Sequence, residues 1–390
     1  MYDVVISGAG PSGSVCARTL AEAGYSVVLI EKDTSWRKPC GGALHPKVFE
    51  LCPELKKLNL LELKQIIMHS ADNHTLKYRS SFMENGAVAD RLIFDNFLRE
   101  KCVEAGAELQ DKTISYDFTK RTDTKIGIKT KSVSETKEFH GKVAVISDGM
   151  SSKLAPKSGI RLKWKIDQLA MGKCSIIKGS HDLDENTAYV FFRPYRGYGW
   201  IFPIDTKRFN IGVYTFGEDN LKRNLDETYH EFLRDPNIQQ YIPKSNFETI
   251  WSSTYPFPIE GVLQKSLNDD NIMIVGDAAG FISPISGEGI QSSMISGNIA
   301  AKTAIKALEE GDFSKNSLNY YKRHSEVKAL IKEFKLKRSM IDFFYENKGA
   351  NFNRLVALTE KDPEFKKQVI DLFISEEMQI PDKEFFERIK

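Results

Sequence analysis

The chain has 390 residues, beyond the size at which a single hydrophobic core usually stops growing, so two domains or one domain carrying a large insertion are expected. Its 55 Lys and Arg against 53 Asp and Glu leave it nearly neutral, and no basic block interleaved with aromatic residues argues for nucleic acid as a partner. No apolar run approaches the roughly 18 residues of a membrane span, and the first strand pattern starts almost at the first residue, so neither a transmembrane helix nor a signal peptide is expected. The expected location is the cytoplasm or a membrane surface.

Tyr2 to Lys32 reads as strand, glycine turn, helix and strand, with Gly8, Gly10 and Gly13 in the turn and Glu31 closing the second strand. The spacing G-x-G-x-x-G predicts a dinucleotide-binding βαβ unit. Gly8 makes the tight turn, Gly10 lets the backbone approach a pyrophosphate, and Gly13 lets the helix pack closely on the strand. The helix N-terminus then faces the phosphate charge, and Glu31, 18 residues after Gly13, is placed to accept hydrogen bonds from ribose hydroxyls.

A glycine-rich loop follows, Lys38-Pro39-Cys40-Gly41-Gly42, and then a helical stretch with polar interruptions to about Leu63. Short alternating runs occupy Lys64 to Asn85. From Asp90 to Ala105, Leu92, Ile93, Phe97 and Cys102 recur at mixed helical spacing, which predicts an amphipathic helix capped by Asp90. Strand signals resume at Glu108, at Lys125 to Thr130 and at Thr136 to Ile146. The all-apolar end Val143 to Ile146, before Ser147, Asp148 and Gly149, fits a parallel strand covered on both faces.

From Leu162 to Pro258 the chain is rich in short β-branched and aromatic runs, which predicts an antiparallel sheet with one helix near Leu225 to Leu233. Asn271 to Gly280 is another buried strand ending in Gly276-Asp277, and Gly287 to Leu308 is a long helix of small residues. The fold class is therefore α/β (α+β overall), with a discontinuous nucleotide-binding domain at 1–63, 86–160 and 266–310. An antiparallel-sheet domain at 64–85 and 161–265 is inserted into it, and a charged helical region follows at 311–390.

Five cysteines, Cys16, Cys40, Cys52, Cys102 and Cys174, form no C-x-x-C pair and are odd in number, so neither a disulfide framework nor a zinc site is indicated and no metal is expected. Most are read as small buried hydrophobes. His45, the histidine nearest a motif, is read as a solvated loop residue.

The order of three features, the Gly8 to Glu31 unit, the strand ending in Asp148-Gly149, and Gly276 to Ile290 (GDAAGFISPISGEGI), resembles the FAD-dependent oxidoreductases built like p-hydroxybenzoate hydroxylase, with a Rossmann-type FAD-binding domain. That resemblance implies FAD as cofactor, Asp277 on its ribityl chain, and Pro284, Gly287, Gly289 and Ile290 along the isoalloxazine edge. A helix starting at Gly289 would offer N–H groups to the negative charge of reduced flavin. No second G-x-G-x-x-G is present, so the electron donor, NADPH or a ferredoxin-like carrier, is expected to visit transiently.

Three finer signs, the Lys38 to Gly42 loop, the run D-R-x-x-F-D-x-x-L from Asp90 to Leu98, and Tyr198-Gly199-Trp200-Ile201-Phe202-Pro203, are similar to the geranylgeranyl reductase family. The resemblance implies cofactor contacts from Cys40, Gly42 and Arg91, a backbone contact of Ser115 to the adenine, and an isoprenoid lipid substrate whose C=C bonds are saturated. It also implies that Tyr198 and Trp200 line the substrate cavity. Residues two apart on a strand share a face, so the pair could flank an apolar chain or simply belong to the core of the sheet.

Reducing an isolated alkene needs hydride at one carbon and a proton at the other, and Cys40 is the candidate proton donor. Such a substrate offers no oxyanion to stabilise, so positioning and exclusion of water would carry catalysis, in a long apolar tunnel. The competing reading is an FAD monooxygenase or halogenase acting on an aromatic or small metabolite. Halogenases of related fold carry W-x-W-x-I-P, from which Tyr198 and Phe202 depart. Finally, Val327, Leu330, Ile331, Phe334, Ile341 and Phe344 lie at helical spacing among Lys328, Lys332, Lys335, Lys337 and Arg338. That is either a basic helix resting peripherally on anionic lipid or a helix packed on the body with a solvated basic face.

Overall fold

A computed structural model of the chain describes residues 1–79, 86–179, 181–243, 246–262, 266–373 and 381–390. The alternating run expected at Lys64 to Asn85 is described as far as Arg79, and its residues 80–85 lie outside the described residues.

Tyr2–Ser7 is the centre of the first sheet. Val27–Ile30 and then Glu108–Gln110 lie parallel on one side, Thr136–Ile146 and then Ile272–Ile274 parallel on the other, and Asn268–Asp269 closes that edge antiparallel. Val4, Val5, Ile6, Val28, Leu29 and Val143 to Ile146 are all fully buried, as strands covered on both faces must be. The helix Pro11–Glu22 packs on this sheet, and the long helix Ile290–Glu310 lies against it. The small residues of the long helix permit that contact. A Cβ on Gly297 would stand 2.1 Å from the Ser12 carbonyl oxygen.

The second sheet runs Glu248–Pro258, Leu169–Lys178, Arg208–Phe216, Gly197–Asp205, Thr187–Phe192, Gln65–His69 and Thr75–Arg79. Every neighbouring pair is antiparallel except Thr187–Phe192 with Gln65–His69. The helix expected near Leu225 to Leu233 is Leu225–Arg234.

Between the sheets the expected helical stretch is shorter than its pattern suggests. Lys47–Leu51 is α-helical and Pro53–Leu58 is a 3₁₀ turn, but Leu61–Leu63 is a strand paired with Gly86–Val88, which also pairs with Ala43–Leu44. Asn59, in the left-handed region at φ 47°, ends the helical run. Short apolar runs do not separate helix from strand by period alone, and pairing decided this one.

The tail folds as helices Lys315–Leu318, Tyr320–Arg323, Ser325–Thr359, Pro363–Phe373 and Lys383–Ile389, the third broken at Glu346–Gly349. Its apolar positions are already occupied. Val327 and Phe334 belong to the core of the first sheet, while Ile341, Phe344, Phe352, Phe365 and Phe385 share a core with Phe192 and Trp200 of the second. Of the two readings of the basic helix, packing on the body is the one observed. Among the described residues no helix is long and apolar enough to cross a membrane.

Candidate cofactor and active site

The glycine turn is built by steric exclusion. Gly8 has φ +99°, and a Cβ there would lie 2.4 Å from the Ser147 carbonyl oxygen; a Cβ on Gly13 would lie 1.9 Å from the Gly8 carbonyl oxygen. Gly10 differs, because nothing lies within 4 Å of the Cβ it lacks. Its open side belongs to a cleft of about 400 Å³ that crosses from the first sheet to the second. Gly10 caps the helix Pro11–Glu22, which has no side-chain cap and no acid in its first turn, so its N-terminal N–H groups and dipole face the cleft uncompensated. Glu31 reaches into the same turn: one carboxylate oxygen accepts from the Ala9 N–H at 2.7 Å and the other from Asp33 N–H at 3.2 Å.

Among the described residues, two polar atoms on the cleft wall are buried without a partner, Ser115 Oγ and Asp148 Oδ1. Burial pushes the Asp148 carboxyl up to about 6. Unpartnered buried polar atoms are costly in a folded chain unless something else meets them. Together with the open side of Gly10 and the free helix terminus, they fit a bound dinucleotide. Asp277 follows the strand Ile272–Ile274 and accepts from the Lys38 ammonium, with Ser293 Oγ at 3.5 Å from its other oxygen. Burial opposes the Lys38 charge and Asp277 outweighs it, so its ammonium is held above the ordinary range. The pair ties the Lys38 to Gly42 loop to the third glycine motif.

The inner end of the cleft is aromatic: Tyr198, Trp200, Phe202, Tyr214 and Phe257, with Ile282. Tyr198 and Trp200 line it and also hold loops in place. The Tyr198 hydroxyl donates to the Ser286 carbonyl, and Tyr214 does the same to Ile285 at 2.8 Å, so two tyrosines anchor the turn that carries Gly287, Gly289 and Ile290. The Trp200 indole N–H donates to Asn210 Oδ1 at 2.8 Å, and the Asn210 amide donates to the Cys40 carbonyl at 2.9 Å. That relay sets where Cys40 sits. Both readings of the pair thus apply at once, lining and core.

Cys40 is half-buried on the cleft wall, while Cys16, Cys52, Cys102 and Cys174 are buried. The Cys40 sulfur accepts from the Gly42 N–H at 3.4 Å, and Arg91 lines the same cleft. Burial opposes the Arg91 charge, and a bidentate pair with Asp95 at 2.9 and 3.0 Å keeps it firmly protonated. Asp90 caps the helix Arg91–Glu104 as expected, accepting from Leu92 N–H at 3.0 Å, and also holds Arg37.

Gly8, Gly10, Glu31, Cys40, Arg91, Ser115, Tyr198, Trp200, Asp277, Gly287, Gly289 and Ile290 therefore share one cleft. Gly13, Gly42 and Pro284 do not reach its wall. Gly13 lies under the turn, Gly42 at φ +81° packs on the Ala89 backbone, and Pro284 packs toward Gly261. Lys38, Asn210, Tyr214 and Glu288 were not singled out from the pattern. Glu288 accepts from the Gln291 N–H at 2.8 Å, so one of the N–H groups expected to face reduced flavin is already capped. His45 is half-buried rather than solvated, and burial lowers it to about 4.

A glycine-lined βαβ unit, a buried aspartate after a later parallel strand and an aromatic sheet closing the same cleft define a flavin-dependent oxidoreductase. The family model described as FAD binding domain matches residues 1–332, the chain belongs to that family, and FAD is its cofactor. Within it, the chain belongs to the geranylgeranyl reductases: it is 30% identical over 350 residues to the digeranylgeranylglycerophospholipid reductase of Methanocella arvoryzae, covering 86% of each chain. The fold is similar to that of a geranylgeranyl bacteriochlorophyll reductase-like protein from Thermoplasma acidophilum, with TM-score 0.82 and 22% identity over 96% of this chain and 97% of that one. It is also similar to a flavin-dependent brominase, with TM-score 0.74 and 20% identity over 95% and 92%. Overall fold alone therefore does not choose between reduction and halogenation.

Proposed function

We propose that the chain saturates C=C bonds of a geranylgeranyl or other polyprenyl lipid, with hydride from N5 of reduced flavin and a proton from Cys40. The observation that carries this reading is the position of Cys40, on the wall of a cleft that Arg91 also lines and that Tyr198, Trp200, Phe202, Tyr214 and Phe257 make aromatic. The relatedness to a digeranylgeranylglycerophospholipid reductase supports the substrate class.

FAD supplies the hydride when bound. The remaining roles fall to the chain. Gly8 and Gly10 with the helix Pro11–Glu22 cradle the pyrophosphate while Gly13 packs that helix beneath the turn, Glu31 meets a ribose, Ser115 lies by the adenine, and Asp277 takes the ribityl chain, oriented by Lys38. Gly287, Gly289 and Ile290 border the isoalloxazine, with Pro284 and Gly42 shaping the loops that do so. Tyr198 and Trp200 flank the alkene and keep water from it. Cys40 gives its proton to the carbon not taking hydride, Arg91 stabilises the thiolate left behind, and solvent restores the proton.

The domain division proposed is 1–63, 86–160 and 266–310 for cofactor, 64–85 and 161–265 for substrate, and 311–390 as a C-terminal helical region that packs first on the first sheet and then on the second. A lipid substrate also calls for peripheral contact with the cytoplasmic face of a membrane. Leu162, 82% exposed beside the exposed Lys163, supports such a contact. Electrons come from NADPH or a ferredoxin-like carrier.

Anaerobic reduction of the protein followed by a geranylgeranyl lipid tests the reading. Flavin reoxidation with a gain of two hydrogens per double bond is expected, and Cys40→Ala should stay yellow while losing that gain by roughly 100-fold or more, the scale of a lost general acid. Product that forms only with oxygen, on an aromatic acceptor, overturns it in favour of oxygenation or halogenation.

A further inference from the structure

Away from the flavin cleft, the short helices Lys315–Leu318 and Tyr320–Arg323 and the start of Ser325–Thr359 enclose a second cleft of about 930 Å³. Lys315, Lys322, Arg323, Lys328, Lys332 and Lys335 line it, and no carboxylate does among the described residues. Lys328, Lys332 and Lys335 stand at i, i+4 and i+7, on one exposed helix face. Of the acids nearby, Asp269 pairs with Lys315 at the rim, Asp270 accepts from the Lys315 N–H at 2.5 Å, and Glu333 and Glu326 face other partners. Glu333 is paired with Lys337 at 2.6 Å, Glu326 lies 4.0 Å from His324, and Asp269 is shared between Arg121 at 3.0 Å and Lys315 at 3.6 Å. A chain of net charge +2 thus concentrates positive potential in one concavity.

We propose that this basic cleft docks an acidic electron-carrier protein that reduces the flavin. The inference rests on the reading of the chain as a reductase that takes electrons from outside. The shape favours a protein over a bilayer: the charges line a concavity, and the one apolar residue there, Ile331, is half-buried and projects nothing into lipid. The position favours electron delivery. Phe334, between Lys332 and Lys335, packs beside Gly261, and Pro284 of the flavin-edge loop packs on the same glycine, both within 4 Å of the Cβ that Gly261 lacks. From there Gly287, Gly289 and Ile290 open directly onto the flavin cleft. Two reduced carriers each lose one electron. The pair, with one proton from water, converts oxidised flavin to its anionic reduced form, ready to give hydride.

The test is anaerobic stopped-flow reduction of the flavin-loaded protein at low ionic strength, with a photoreduced acidic bacterial ferredoxin as probe. The wild type should be reduced in a saturable reaction that salt slows, and K328E/K332E/K335E should lower the second-order rate by roughly 10- to 100-fold. The milder K328Q/K332Q/K335Q should fall between. Reduction by dithionite, and lipid saturation driven by it, should be the same in all three proteins. Wild-type reduction that is absent or insensitive to salt overturns the proposal, as does a charge-reversed protein reduced at the wild-type rate. Loss of binding to phosphatidylglycerol vesicles with the ferredoxin rate unchanged overturns it too, and assigns the cleft to membrane. If dithionite-reduced wild type leaves a geranylgeranyl lipid unsaturated, the reductase reading fails while the docking kinetics stand on their own.

Discussion

At the first sheet the glycine turn presents backbone to the cleft: Gly8 and Gly10 contribute no side chain and a helix N-terminus supplies charge, with polar side chains such as Glu31, Ser115 and Asp148 around it. On the second sheet it is side chain: Tyr198, Trp200, Phe202, Tyr214 and Phe257 crowd together, and their polar tips hold loops from the other half. A cofactor with many phosphate and hydroxyl groups is met by closely approaching N–H groups, whereas an apolar chain is met by rings. The two walls should therefore fail differently when altered.

The backbone wall should be the less forgiving. Gly13→Ala places a Cβ 1.9 Å from the Gly8 carbonyl, against main chain that cannot rotate away. A loss of about 3 kcal/mol of stability is expected, with little FAD retained; denaturant unfolding and the flavin-to-protein absorbance ratio measure both. An alanine variant that holds full flavin at wild-type stability would remove the contrast between the walls.

Asn210→Ala tests the side-chain wall. It strands the Trp200 N–H and the Cys40 carbonyl, at a cost of about 2 kcal/mol. Flavin content should stay near that of wild type while lipid saturation falls by roughly 10- to 100-fold, because the Cys40 loop is misplaced by a fraction of an ångström or more. Equal losses of flavin and rate would show that the loop serves the cofactor instead.

Glu288, in the turn between the cleft residues Gly287 and Gly289, gives the smallest effect. Burial pushes its carboxyl up to about 7 from an ordinary 4.5. A raised acid binds its proton more tightly in the folded state, so its contribution is present below about pH 4.5 and is lost as pH rises through about 7. Glu288→Gln keeps the acceptor for Gln291 and removes the titration. The variant should match wild type near pH 5 and exceed it near pH 8 by of order 1 kcal/mol, discounted for partial exposure. Melting temperature against pH is the measurement, with Asp148 adding the same background slope in both proteins.

The glycine turn, the Asp90 cap and the buried strands were legible because their requirements are local. A positive φ, a close approach that admits no Cβ, a carboxylate two residues before an N–H, and an apolar run each leave a mark within a few positions. The Lys38–Asp277 pair spans 239 positions and the Asn210–Cys40 bond 170, and neither leaves such a mark. The same gap explains Gly42 and Pro284. Each stands in a motif, yet one packs on Ala89 and the other toward Gly261, since a motif specifies chain direction better than which neighbour a side chain meets.

The amino-acid order alone determined that three strand exits with glycine could enclose one dinucleotide and that an aromatic sheet would be inserted between them, because backbone conformation and burial pattern are written in short range. Only the tertiary structure decided that Trp200 reaches Cys40 through Asn210, that the apolar face of the tail helix is already covered, and that its lysines gather with those of the preceding helices into one cleft. Those outcomes depend on which distant surfaces meet, and that is settled by packing the whole chain at once.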